Sequence, residues 1–418
     1  MANSVRKYFV DLWRSNRKFD RGIWVITAFS LLNSVGFSIS LPFLSLYLYQ
    51  KRGFDMTSIG AFILIGGLTS AAAQVLGGML SDKLGRRPLL MSSIAASSLM
   101  YGGLAALVAV DGPVWAIILV WTVGRSVLVM GRPIVTAMIT DLAPKERLTE
   151  AYGLLRVGQN LGWAIGPALG GYLVAFLSYS WLFGFAAFTS VLTFTLVLIF
   201  LRESFPGASQ PVTYRSIVTT ATRDRTFLIF IGICFLVFMV SGQMISTLSV
   251  FLVDKVGFST TQYGLVLTLN GIIVILFQYP IARLIRNKII GSLVLGSLLY
   301  GIGYLAMGWV NAFTGGMIAM AVVTAGEIIY SPTSQSVAGN LAPKDWRGRY
   351  MGLFALSETL GVSVGPLLGG VLLDKLPRSP HLLWGGITLV AFIAAIGFYY
   401  WGKLSPAAKE DRNCQQQT

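Results

Sequence analysis

Long apolar runs alternate along this chain with short polar interruptions. The runs lie near 22–48, 58–80, 88–110, 114–140, 151–177, 180–202, 227–253, 260–284, 289–310, 314–339, 350–374 and 382–402. Each is long enough for a bilayer crossing, which takes about 20 apolar residues as a helix. Strand-like period-two alternation is absent, and an open sheet cannot satisfy its backbone groups in lipid. The pattern therefore predicts membrane helices throughout.

The pattern also repeats. Leu142-Ala143-Pro144-Lys145 recurs as Leu341-Ala342-Pro343-Lys344, and the register then holds without a gap. Gly153, Gly162, Gly166, Pro167, Gly170 and Gly171 answer to Gly352, Gly361, Gly365, Pro366, Gly369 and Gly370. Nearer the start of each half, Gly53, Thr57, Gly60, Gly67 and Gln74 answer to Gly257, Thr261, Gly264, Gly271 and Gln278. Each half reads as a version of the other in the same direction, an architecture of secondary transporters. The predicted fold class is all-α and integral to the membrane, with twelve transmembrane helices in two pseudo-symmetric six-helix bundles, 22–202 and 226–402. Residues 1–21 form an N-terminal segment, 203–225 a linker containing Pro206, Gly207 and Pro211, and 403–418 a polar tail.

Composition agrees. The 418 residues are 55% hydrophobic and 12% charged, where a soluble protein would need about 25% charged residues to cover its surface. Net charge is +15, which in a soluble protein would suggest nucleic acid. Here the basic residues fall in short loops between apolar runs, so nucleic acid is excluded as a partner and the charge sets topology instead. Arg6, Lys7, Arg14, Lys83, Arg86, Arg87, Lys145, Arg147, Arg202, Arg283, Lys288 and Lys344 belong to one side, while the other carries little beyond Lys51, Arg52, Lys255, Lys375 and Arg378. The positive-inside rule then puts both termini in the cytoplasm, for a multi-pass protein of the plasma or inner membrane. The first apolar run exceeds the core of about 7–15 residues of a cleavable signal and is expected to stay. Two cysteines, Cys234 and Cys414, and a single histidine, His381, give neither a disulfide framework nor a metal cluster. Without a phosphate loop or nucleophile elbow, neither an enzyme nor a cofactor is expected.

Three features carry chemistry. The first is Gly78-Met79-Leu80-Ser81-Asp82-Lys83-Leu84-Gly85-Arg86-Arg87-Pro88, between the second and third runs. Gly85 suits a tight turn and Pro88 a first helical turn; Asp82 can accept from a helix N-terminus, and Arg86 and Arg87 can pair with carboxylates. The second is the stripe Gly162, Gly166, Pro167 and Gly170, repeated as Gly361, Gly365, Pro366 and Gly369. It makes a smooth helix face for close packing. The third is charge at membrane depth. Arg125 and Glu327 sit near the middle of the fourth and tenth runs, where an ionisable group costs about 2.5–3.5 kcal/mol and so faces an aqueous cavity or a partner. Asn33, Gln243 and Asn270, with Phe37, Phe238 and Tyr330, are candidates for the wall of a substrate cavity.

The 78–88 segment resembles the signature loop of the major facilitator superfamily, G-x-L-a-D-r-x-G-r-k-P-l, with Met79 and Ser81 as variations; the counterpart at 282–288 lacks the acid. The glycine stripe of the fifth run resembles the antiporter motif of drug/proton exchangers in that superfamily, although its duplication in the eleventh run also fits ancestral packing. Gly326-Glu327-Ile328-Ile329-Tyr330-Ser331-Pro332 resembles a segment of twelve-helix multidrug/proton antiporters in which the glutamate is implicated in coupling. The resemblance implies the major facilitator fold, with Glu327 as first and Glu358 as second candidate for proton coupling, and a gating pair of Asp141 with Arg86. Arg125 departs from the pattern, because the family's arginine aligns with Trp121, one turn earlier on roughly the same face. The implied function is a proton-coupled exporter of amphipathic or cationic drugs by alternating access, a monomer whose partners are a small-molecule substrate, protons and lipid. A carrier of an endogenous lipid, sugar or metabolite remains open, as does a non-transporting sensor.

Overall fold

The computed structural model describes residues 19–144, 147–204, 224–285, 288–343 and 346–404. The long elements are all helices: α1 Arg21–Arg52, α2 Met56–Leu84, α3 Arg86–Ala109, α4 Val114–Leu142, α5 Leu148–Phe176, α6 Tyr179–Phe200, α7 Arg225–Ser241, α8 Thr260–Ile285, α9 Ile289–Met307, α10 Phe313–Leu341, α11 Arg347–Lys375 and α12 Pro380–Leu404. The apolar runs thus become two bundles of six. Eleven of the spans are long and apolar enough to cross a membrane. α5 is not among them, because Gln159, Asn160 and its glycines dilute its apolar content. Most of the expected linker, the N-terminal segment through residue 18 and the tail from 405 lie outside the described residues, as do Lys145 and Lys344.

Aspartates start several helices. Asp20, Asp55 and Asp224 accept the amides of Gly22, Ser58 and Phe227, satisfying N–H groups that have no partner within the helix. The bonding with Ser58 holds the Asp55 carboxyl, in the α1–α2 loop, below its ordinary value. Gly53 ends α1 in the left-handed region at φ 68°, where a residue without Cβ is unstrained.

The seventh span is not one continuous helix. After α7 come a 3₁₀ turn, Gly242–Ile245, a short α turn, Thr247–Val250, and a π turn, Phe251–Lys255. Gln243 sits at this break. Its Nε2 donates to Met239 O (3.0 Å) and to Gly365 O of α11 (2.8 Å), and its Oε1 accepts from Thr247 Oγ1 (2.8 Å).

The duplicated glycines have two uses. Gly162, Gly166 and Gly170 bring α5 against α1, and Gly361, Gly365 and Gly369 bring α11 against α7; a Cβ at Gly162 would stand 2.7 Å from Leu31 O. Other glycines on the same scaffold face the opposite bundle. Gly60 of α2 meets Leu367 of α11, where a Cβ would lie 2.5 Å from the Leu367 Cα, and Gly271 of α8 meets Ala164 of α5 at the same 2.5 Å. The bundles therefore touch along α2–α11 and α5–α8.

Candidate functional site

A cavity of about 660 Å³ lies between the bundles, lined by α1, α2, α4 and α5 on one side and by α7 to α11 on the other. A smaller one of about 220 Å³ adjoins it, and Glu327, Glu358, Gln159, Asn160, Ser331 and Gln335 belong to both walls. Among the described residues, the contacts that close the protein concentrate at the end bearing loops 53–55, 256–259 and 376–379, the loop end. There Asp374, at the end of α11, accepts hydrogen bonds from the first amides of α2: Met56 N at 3.1 Å, Thr57 N at 2.7 Å and Thr57 Oγ1 at 2.6 Å. Thr260 Oγ1 donates to Gly171 O (3.0 Å), Lys255 Nζ to Tyr49 Oη (3.0 Å), and Phe43 meets Tyr263 edge-on at 5.7 Å. Toward the opposite, linker end the cavity wall continues through Arg132, Val135 and Thr136. The hydrogen bond described there between the bundles runs from Arg156 of α5 to Gln335 of α10.

Among the candidates read from sequence, Asn33, Phe37, Arg125, Phe238, Asn270, Tyr330, Glu327 and Glu358 all line the larger cavity. Asn270 Nδ2 donates to Glu327 Oε2 at 2.7 Å and to Thr324 Oγ1 at 3.1 Å. No ion pair holds Glu327 among the described residues. Glu358 is exposed to the cavity. Phe37 packs edge-on against Trp163 at 5.9 Å, and Phe238 against Tyr330 at 6.0 Å, so both bundles supply aromatic faces. Arg125 is 8% exposed, and its guanidinium lies 4.7 Å from the ring centroid of Trp121, the residue with which the family's arginine aligns. Gln243 does not line the cavity: it is fully buried at the α7 break, with its amide taken up by backbone and Thr247.

The signature segment lies at the linker end, entirely within the first bundle. Gly85 takes φ 90° between α2 and α3, and Arg86 pairs with Asp141 at the end of α4. Ser204 Oγ also donates to Asp141, at 3.1 Å. Gly78 and Asp82 fall on the last turns of α2, and the Asp82 side chain lies outside the described residues. The acid found at the α3 N-terminus is Glu203, which accepts from Arg86 N (3.2 Å) and Arg87 N (3.0 Å), while Arg87 Nη2 donates to Leu198 O (2.8 Å).

Sequence reading passed over Glu203, Asp374 and the Arg156–Gln335 contact. Asp374 left one usable signal. It is an acid at the end of an apolar run whose counterpart in the first repeat, Ala175, carries no charge.

Comparison with known proteins gives a consistent result. The sequence model described as Major Facilitator Superfamily matches residues 26–366 and 231–415. The chain is 28% identical over 360 residues to an uncharacterized MFS-type transporter, YttB, of Bacillus subtilis, covering 85% of this chain and 89% of that one. It is 26% identical over 373 residues to the multidrug resistance protein MdtH of Aeromonas hydrophila, covering 87% and 91%. Among solved structures, a POT family transporter in complex with a thioalcohol-conjugated peptide superposes with a TM-score of 0.78 at 16% identity, over 92% of this chain and 96% of the other.

Proposed function

The chain belongs to the Major Facilitator Superfamily of membrane transporters, and we propose that it is a proton-coupled exporter of amphipathic small molecules. Glu327 carries the proposal. It faces both cavities at the bundle interface, its hydrogen bond comes from the neutral amide of Asn270, and no described cation pairs with it. Such a carboxyl can take up or release a proton without breaking an ion pair, while Asn270 holds its orientation. Glu358, on the same wall, is the second carrier.

The cycle follows from the closed and open ends. With the basic loops on the cytoplasmic side, the described conformer faces inward: its loop end is sealed and its cavity reaches toward the cytoplasm. Rocking along α2–α11 and α5–α8 would open the loop end, let Glu327 take a proton from outside, and return it inward in exchange for substrate. A proton moving down a membrane potential supplies about 2.3 kcal/mol per 100 mV. The Arg86–Asp141 pair and the Glu203 cap at the linker end brace the cytoplasmic gate. The aromatic faces of Phe37, Trp163 and Phe238 suit an apolar cargo body, in keeping with a relative named for multidrug resistance. The protein works as a lipid-embedded monomer of the plasma or inner membrane.

The test is Glu327→Gln in liposomes with an imposed pH gradient. Gradient-driven accumulation of an amphipathic dye should disappear while expression and folding remain. Pumping at the wild-type rate would remove Glu327 from the coupling step.

A further inference from the structure

The larger cavity is chemically lopsided. On its N-terminal wall Ser70 Oγ, Gln74 Nε2 and the Nε and Nη1 of Arg125 are buried with no hydrogen-bond partner. These groups lie within about one helical turn of each other. Gly66 of α2 lies against Trp121 of α4, Gly77 lies against Met130, and Ser126 Oγ bonds Thr69 Oγ1 at 2.9 Å, a register that sets Ser70 near the level of Arg125 and Gln74 one turn nearer the linker end. Ser70 and Gln74, four residues apart, share a face of α2. The opposite wall carries one such group, Tyr330 Oη, and presents the carboxylates of Glu327 and Glu358.

A buried donor without a partner is costly, and a buried guanidinium without an anion more so. Trp121 supports the Arg125 plane through its ring face, and Arg132, the nearest basic residue along α4, adds positive charge to the same wall. No ion pair to Arg125 exists among the described residues. We propose that Arg125, Gln74 and Ser70 form an anion-recognising subsite, and that the cargo carries a carboxylate or similar acid group together with an amine. The acid docks on the guanidinium fork, the amine faces Glu327, and the apolar body lies on Phe37 and Phe238. This rests on the cavity being the transport site, and it narrows the cargo class from amphipathic small molecules to zwitterionic amphiphiles. A cation lacking the acid group leaves the same donors unpaired, so the wall selects against it.

Equilibrium binding to the purified full chain tests the subsite, using three probes: a quinolone with a free carboxylate, its methyl ester, and ethidium. Wild-type protein should bind the acid at least about tenfold tighter than the ester. Arg125→Gln should bring that ratio to about one while leaving ethidium within about twofold. Gln74→Met, which keeps the volume and removes the donor, should lower the ratio part of the way, and it decides the matter should Arg125→Gln fail to fold. Equal binding of acid and ester by the wild type, or a uniform loss for all three probes in a folded variant, overturns the subsite. Proton-driven uptake is read separately. Discrimination in binding without gradient-driven transport keeps the subsite and sinks the export proposal, and pumping that ignores the carboxylate does the reverse.

Discussion

The two ends of the interface between the bundles are built on different principles. At the loop end, backbones approach to glycine distance along α2–α11 and α5–α8, and a carboxylate on one bundle caps a helix on the other. At the linker end, among the described residues, the hydrogen bond between bundles is made by two long side chains, Arg156 and Gln335, and the bonds of Arg86 to Asp141 and of the α3 amides to Glu203 stay inside one bundle. One seal joins close fit to hydrogen bonds between the bundles; the other is a side-chain contact where the cavity opens. A rocking carrier must break the first without disturbing the internal packing of either bundle. Separating the glycine faces, one set turned inward to the bundle and the other turned to its partner, makes that possible.

The sharpest way to break this contrast is to spoil the fit. Gly60→Leu puts a branched side chain where even a Cβ would lie 2.5 Å from the Leu367 Cα, and overpacking of that kind costs about 1–3 kcal/mol or more. The loop end should fail to close, with transport falling by about a hundredfold. A cysteine placed at Ser331, on the cavity wall, should become reactive to an impermeant maleimide from the loop side. Asp374→Asn should act in the same direction but less strongly. It weakens the cap on Met56 and Thr57 without abolishing it, since Asn keeps one acceptor oxygen, and a loss of about 1.5 kcal/mol shifts the conformer ratio by roughly tenfold. Spin-label distances across the loop end would read the shift. Gln335→Ala should have the smallest effect, about two- to tenfold toward an open linker end, as expected for a single hydrogen bond. If Gln335→Ala shifted the ratio more than Asp374→Asn, the linker end would be the stronger seal and the contrast would be wrong.

The spans and the pairing of halves were legible because each rests on a long periodic signal. Twelve apolar runs and a glycine register held over many residues average out local noise. The cavity candidates were legible for a related reason, since a charge at membrane depth has few places to go. Arg125 and Glu327 both face the cavity, with Asn270 bonded to Glu327. Short-range geometry was less visible. The break falls at Ser241-Gly242-Gln243, a weak turn signal that the apolar residues on either side outweigh. Gln243 reads as a polar cavity residue by type, and only its distance to Gly365 assigns it to packing. Asp374 and Glu203 act through backbone amides on other helices, and those partnerships depend on tertiary placement.

Gln243 has a mechanical consequence. An interrupted helix is ordinarily a joint, and a lever with a joint near its middle passes little torque. Here one amide works as a rivet, closing the gap in the seventh span after α7 and fastening that span to α11 at Gly365 in the same stroke. The two helices are obliged to swing as a single plate, and any play at that rivet would be lost from the stroke before it reached the cargo.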